Sequence, residues 1–109
     1  KDSEQFDKAI NKYNDILELD PEFFIALYNI GYIYLVYKKE FDLAIEYFTD
    51  AIEVREDYAE AYYNRGFAWE LKQNNEKSRA DYNKTLEYQP NYEKAIEGLN
   101  RIDEYSANR

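Results

Sequence analysis

Residues 26–34, ALYNIGYIY, return 35 positions later as residues 61–69, AYYNRGFAW, with Ala, Tyr, Asn and Gly in the same four places. Tyr32 becomes Phe67 and Tyr34 becomes Trp69, so ring size survives where identity does not. A second series alternates with this one: FDKAINKYNDILELDP (6–21), FDLAIEYFTDAIEVRE (41–56) and NEKSRADYNKTLEYQP (75–90), offset by 35 and then by 34. A fixed period of this length marks one supersecondary unit used repeatedly, each copy burying its apolar face on the next.

Both series read as helices. Phe41, Ala44, Ile45, Phe48, Ala51 and Ile52 fall on one stripe at helical spacing, as do Phe6, Ala9, Ile10, Tyr13, Ile16 and Leu17. Polar breaks at 38–40 and 73–75 divide the members of a pair. Asp20-Pro21, Glu56-Asp57 and Pro90-Asn91 divide one pair from the next, Pro being suited to the turn that leads into a helix. Asp57 with Glu60 three residues on has the form of a capping box. A helical Gly costs about 1 kcal/mol relative to Ala, so Gly31 and Gly66 need a physical cause. The expected cause is close approach within a pair, Gly31 facing Ala44 and Gly66 facing Ser78. Tyr34, Phe48, Trp69 and Tyr82 would then fill the space around each contact.

This pattern resembles the tetratricopeptide repeat family. Leu27, Ile30, Gly31, Tyr34, Ala44, Phe48 and Ala51 match one repeat, and Tyr62, Gly66, Trp69, Tyr82 and Pro90 match the next. The departures are Glu56 for the proline, Arg65 for the usual Leu, Ser78 and Thr85 for Ala, and one extra residue in the 37–40 turn. Arg65 is expected to snorkel to solvent. The resemblance implies an all-α fold, a right-handed superhelical array of antiparallel helix pairs forming a solenoid over residues 1–109. Within it, 3–23 is the second helix of a partial repeat, 24–58 and 59–91 are full repeats, and 92–109 is a capping helix and tail. Gly98 stands 32 residues after Gly66 rather than 34, outside the glycine register. On this reading the array is N-terminally truncated, a piece of a longer protein.

The chemistry of catalysis is thinly represented. The chain has no His and no Cys, which removes the usual general base, the thiolate and most transition-metal sites. Its three Ser and two Thr therefore lack a His partner, and no phosphate-loop, dinucleotide or EF-hand spacing occurs. No enzyme activity, cofactor or metal is expected. Asn83-Lys84-Thr85 fits the glycosylation pattern, but Thr85 falls on a core-facing position, so the match is expected to be accidental.

Net charge is −9, with −4 in residues 1–23 and −4 in 24–58. Phosphate backbones are bound through Lys and Arg, so nucleic acid is not an expected partner. A protein or peptide partner should be basic or apolar rather than acidic; alternatively, the acidic face serves solubility alone. No apolar run approaches the ~20 residues of a membrane span and no signal peptide is expected. A soluble protein is expected, with the cytoplasm as its first expected setting and the compartment otherwise open.

The family resemblance implies a concave groove lined by the first helix of each pair. Its residues would be Ile25, Tyr28, Asn29, Tyr32 and Leu35, then Glu60, Tyr63, Asn64, Phe67 and Glu70. Tyr28, Asn29, Tyr32, Tyr63, Asn64 and Phe67 are the expected peptide contacts, with Asn29 and Asn64 forming an asparagine ladder. Some relatives clamp a terminal carboxylate with Lys and Arg; here Glu60, Asn64 and Tyr28 stand in those places, which argues against an acidic tail. The alternatives are that the tyrosines only cover the seam between repeats, and that the segment is a spacer without a ligand. At the other end, Phe6, Ile10, Tyr13 and Leu17 have one expected neighbour, the helix at 24–36. That exposure predicts self-association, as a homodimer, through residues 3–19, or fraying of that helix in a monomer.

Overall fold

The chain's computed structural model describes residues 2–107. Its helices run in order: α1 (Asp2–Leu19), α2 (Phe24–Tyr32, continued by a π-helical segment Ile33–Lys38), α3 (Phe41–Val54), α4 (Ala59–Leu71), α5 (Asn75–Tyr88) and α6 (Glu93–Ala107). Each packs on its neighbours in chain order, giving a solenoid of 46 × 31 × 19 Å. Pairs α2–α3 and α4–α5 are the two copies of the repeat; α1 closes one end and α6 the other. Among the described residues no helix is long and apolar enough to cross a membrane.

The glycines owe their places to rings rather than to small residues. A Cβ on Gly31 would stand 2.8 Å from Phe48 Cε1, and one on Gly66 would stand 3.1 Å from both the Tyr82 ring and Asp81 Cβ. The expectation that Gly31 faces Ala44 and Gly66 faces Ser78 is thus replaced. Each glycine leaves room for the large ring of the second helix, and Phe48 and Tyr82 are both fully buried. Burial of a side chain of that size stabilises by roughly 2–3 kcal/mol, more than the ~1 kcal/mol cost of a helical glycine. Gly98, although out of register, does the same work from the other side, since a Cβ there would collide with Tyr82. Tyr82 therefore lies between two glycines, Gly66 of α4 and Gly98 of α6, with Ala95 and Ile102 buried beside it.

The extra residue of the first repeat is not in the 37–40 turn. Lys39 (φ 56°) and Gln73 (φ 64°) are the left-handed residues that end the two first helices, and they are only 34 apart. The insertion lies upstream, inside the helix, where it widens Ile33–Lys38 into a π-helix. The segment closes with the Lys39 and Glu40 amides both donating to the Tyr34 carbonyl. Widening turns Tyr37 onto α1, where it stacks on Phe6 at 4.1 Å, and Lys38 pairs with Asp7 at 2.7 Å.

Two further expectations are corrected. Asp57 caps nothing: the N-cap of α4 is Tyr58, without a side-chain cap, and Asp57 accepts from Arg55 Nε at 3.1 Å. Asn74 is the side chain that does cap, accepting from the Lys77 amide at 3.1 Å. Arg65 does not snorkel. Its guanidinium makes a two-pronged bond to Asp81, both contacts 2.8 Å, and a third to Thr49 Oγ1 at 3.1 Å. Burial alone would lower the Arg65 pKa, but the bond to Asp81 outweighs it and raises it. The pair ties α4 to α5 and, through Thr49, to α3 of the preceding repeat.

Candidate functional site

The three ring contacts of Tyr28 recur around Tyr63 in the second repeat. Tyr28 lies against Tyr32 at 6.3 Å, Phe48 at 5.7 Å and Tyr58 at 5.1 Å. Tyr63 lies against Phe67 at 6.3 Å, Tyr82 at 5.6 Å and Tyr92 at 5.4 Å. Every member of the second set is the counterpart of a member of the first. Tyr28 and Tyr63 are thus seam residues, each holding the start of the next pair through its N-cap ring. They keep one partly exposed face toward the concave side.

That side contains one open cleft of about 490 Å³, and all six residues expected to contact a peptide line it: Tyr28, Asn29, Tyr32, Tyr63, Asn64 and Phe67. Leu35, Val36, Tyr92 and Lys94 complete it. Ile25 is exposed but lies outside the cleft, and Glu60 and Glu70 do not line it either. Sequence reasoning missed Val36, Tyr92 and Lys94. A signal for Tyr92 exists, because Phe23, Tyr58 and Tyr92 repeat one ring at the position before each first helix. Lys94 carries no such signal, and among the described residues it has no ion pair. It is the one cation lining the cleft.

The asparagines are not equivalent. Asn29 Nδ2 donates to Tyr13 Oη at 3.2 Å. The residue in the same register below Asn64 is Phe48, which has no hydroxyl, and Asn64 Nδ2 turns instead to Tyr28 Oη at 2.8 Å and the Glu60 carbonyl at 3.1 Å. Both N–H groups of Asn64 are therefore engaged, and the residue is 7 % exposed. What it can still offer is its carbonyl oxygen. The third register position is Gly98, where the ladder ends.

Burial raises the Tyr28 hydroxyl pKa, with Tyr58, Tyr92 and Glu60 adding to the effect. Burial likewise raises Tyr63, opposed by Arg101, and pushes Tyr92 up to about 12. These phenols keep their protons at any ordinary pH. Beyond the cleft, Glu70 accepts from Tyr82 Oη at 2.6 Å and from Arg101 Nε and Nη2 at 2.9 Å. Burial alone would raise the Glu70 carboxyl, but these bonds win and hold it below the usual range. The network locks α6, and with it Tyr92 and Lys94, against α4. Among the described residues no cluster of three or more His, Cys, Asp or Glu could hold a metal ion.

The residues expected to mediate self-association are more covered than the sequence suggests. Ile10 is 7 % exposed and packs against Ile30 and Ile33, so it is part of the intramolecular core rather than a free surface. Phe6, Tyr13 and Leu17 are partly buried in the same cluster, to which Tyr34 and Tyr47 also contribute. What α1 leaves in water is Ile16, and Leu19 at 90 % exposure.

A family profile described as tetratricopeptide repeat matches residues 33–107, and one described as TPR repeat matches residues 1–36. No match was found among curated proteins. Among solved structures, the first TPR of Spaghetti (RPAP3) bound to the HSP90 peptide SRMEEVD is 28 % identical, with a TM-score of 0.89 over 97 % of this chain and 83 % of that one. The first TPR domain of human RPAP3 is also 28 % identical, with a TM-score of 0.88 over 98 % of this chain and 84 % of that one. The Arabidopsis OM64 TPR domain, 23 % identical, shares the fold with a TM-score of 0.87 over 95 % of this chain and 85 % of that one.

Proposed function

The chain belongs to the tetratricopeptide repeat family, whose domains are protein-interaction modules and typically not enzymes, and on that premise we propose that it holds a peptide segment in the cleft between α2, α4 and the start of α6. One observation carries this reading. The cleft gathers outward-facing rings, Tyr32 and Phe67, around polar atoms that are only half engaged, the Tyr28 hydroxyl and the Asn64 carbonyl. Aromatic anchors with polar handles are what peptide sites use. A structurally similar domain is bound to an HSP90 peptide, which supports a peptide as the class of ligand.

The partner is neutral or basic rather than acidic, because the chain carries −9 overall and the cleft a single cation. The test is selection from a displayed peptide library, followed by the same selection with Tyr32→Ala/Phe67→Ala. These two side chains reach the cleft without carrying the seam hydrogen bonds. Peptides captured equally well by both proteins would place binding elsewhere.

A second reading, a solenoid segment that self-associates rather than holding a ligand, rests on Ile16 and Leu19, left exposed on α1. Two copies could cover these side chains isologously, with Phe6, Tyr13 and Leu17 at the edge of the contact. Sedimentation over a concentration series decides it: mass rising with concentration, and lost in Leu19→Lys, supports the homodimer, while a constant monomer mass removes it.

A further inference from the structure

We propose that the peptide this cleft takes is a proline-rich segment in the extended, left-handed polyproline conformation. The inference rests on the groove reading above and adds the chemistry of the ligand. Its basis is which hydrogen-bonding atoms of the cleft are already in use. Tyr28 Oη accepts from Asn64, so what the hydroxyl has left is its proton. Asn64 has no N–H to spare, both going to Tyr28 and Glu60. Tyr32 and Tyr92 add hydroxyls, and Lys94 adds an ammonium without an ion pair among the described residues. The cleft therefore offers the protons of four phenols and one ammonium to a ligand's carbonyls, and the Asn29 and Asn64 carbonyls and the phenol oxygens as its acceptors.

A ligand backbone must answer that pattern. An α-helix brings carbonyls already bonded within itself, so it would bury the tyrosine protons without partners, at a cost of about 1–3 kcal/mol each. An ordinary extended peptide can pair its N–H groups with those acceptors, but it must give up its conformational freedom to do so, which a polyproline helix has already lost. A proline-rich strand brings carbonyls and no N–H groups, and its polyproline conformation has no internal hydrogen bonds to compete. The rings agree with this. Tyr28 and Tyr32 are stacked along α2, and Tyr63 and Phe67 along α4. They offer electron-rich faces to pyrrolidine rings whose C–H groups beside the nitrogen carry partial positive charge. Aromatic-lined grooves grip such segments in other folds by the same physics. A volume of about 490 Å³ lies within the ~300–1,000 Å³ typical of ligand clefts.

The experiment is fluorescence polarisation with labelled decaproline, a Gly-Ser peptide of equal length and an amphipathic Leu/Lys/Glu helical peptide. Decaproline should bind saturably and about tenfold or more tighter than either control. Tyr32→Ala and Phe67→Ala should each weaken it about tenfold, and Tyr32→Phe, which removes only the hydroxyl, by roughly threefold to tenfold. Should either alanine variant lose its helical circular dichroism, Tyr32→Leu and Phe67→Leu replace it. No saturable decaproline binding, tighter binding of a control, or binding indifferent to Tyr32 and Phe67 overturns the proposal. If a control peptide binds instead and loses affinity in the same variants, the groove reading stands and the proline inference alone falls. If no peptide from the library or this set binds, both fall.

Discussion

Asn64 Nδ2 reaches back across the seam between repeats to the hydroxyl of Tyr28, 2.8 Å away and 36 residues earlier. The same nitrogen holds the Glu60 carbonyl one turn back on its own helix. One amide thus orients a cleft ring, fixes the register of two helix pairs and uses up its donors in doing so. Asn64→Ala should destabilise the fold by about 1–2 kcal/mol, the cost of a buried hydrogen bond with its acceptors left unpaired. Urea denaturation followed by circular dichroism measures this, and an unchanged midpoint would show that the seam does not depend on the amide.

Gly98→Ala places a methyl group where the Tyr82 ring lies. The ring is fully buried and pressed by Gly66 from the other side, so it has nowhere to go. The expected loss is about 1–3 kcal/mol from overpacking, despite the better helix propensity of Ala. It should appear first as faster amide exchange in α6. Slower exchange there would mean that the helix shifts outward at no cost.

Arg65 and Asp81 should behave as a unit. Arg65→Leu restores the residue usual for the family, yet leaves the Asp81 carboxylate, 7 % exposed in its side chain, without its partner. A loss of about 3 kcal/mol is expected. Arg65→Leu/Asp81→Ala should recover much of it, because replacing both members of a buried pair is far less costly than removing one. A double-mutant cycle that comes out additive would refute the coupling.

The Glu70 carboxyl, held below its ordinary value by Arg101 and Tyr82, makes the docking of α6 sensitive to acid. A depressed carboxylate contributes stability that is fully present above its unfolded pKa, near 4.5, and is lost as pH falls through the lower folded value. Glu70→Gln should therefore be less stable than the parent at neutral pH, and the two should converge as the solution is acidified below that range. A gap between them that stays constant with pH would assign the loss to packing instead.

Ser78 gives a prediction of opposite sign. It is fully buried, and its Oγ has no well-formed hydrogen-bond partner among the described residues. Ser78→Ala removes that buried polar atom without leaving a void of consequence, so stability should hold or rise by up to ~1 kcal/mol. A loss in thermal or urea denaturation would reveal a partner for the hydroxyl.

The period and its direct consequences were legible in the chain without coordinates. The 34- and 35-residue returns, the apolar stripes at helical spacing and the breaks between them are local properties, and they suffice for the paired helices, while the concave groove was what the family resemblance implied. Which atoms meet across the seams was settled by tertiary packing. Gly31 and Gly66 could be paired with Ala44 and Ser78 from spacing alone, but the rings of Phe48 and Tyr82 are longer than that argument allows and take the space first. Gly98 broke the sequence register and still met Tyr82, because α6 approaches from the far side of the ring. The extra residue went into a π-helical turn, which brought Tyr37 over Phe6 and partly covered a surface that looked exposed. Arg65 was free to reach water, by its sequence neighbours, until Asp81, sixteen residues on, came to face it. Lys94 entered the cleft because α6 docks on α4 and α5, through the Tyr82 cluster and the Glu70–Arg101 bonds. Each of these depends on how one helix pair is rotated against the next, and that rotation is set by the summed packing of side chains far apart in the chain, which no local pattern records.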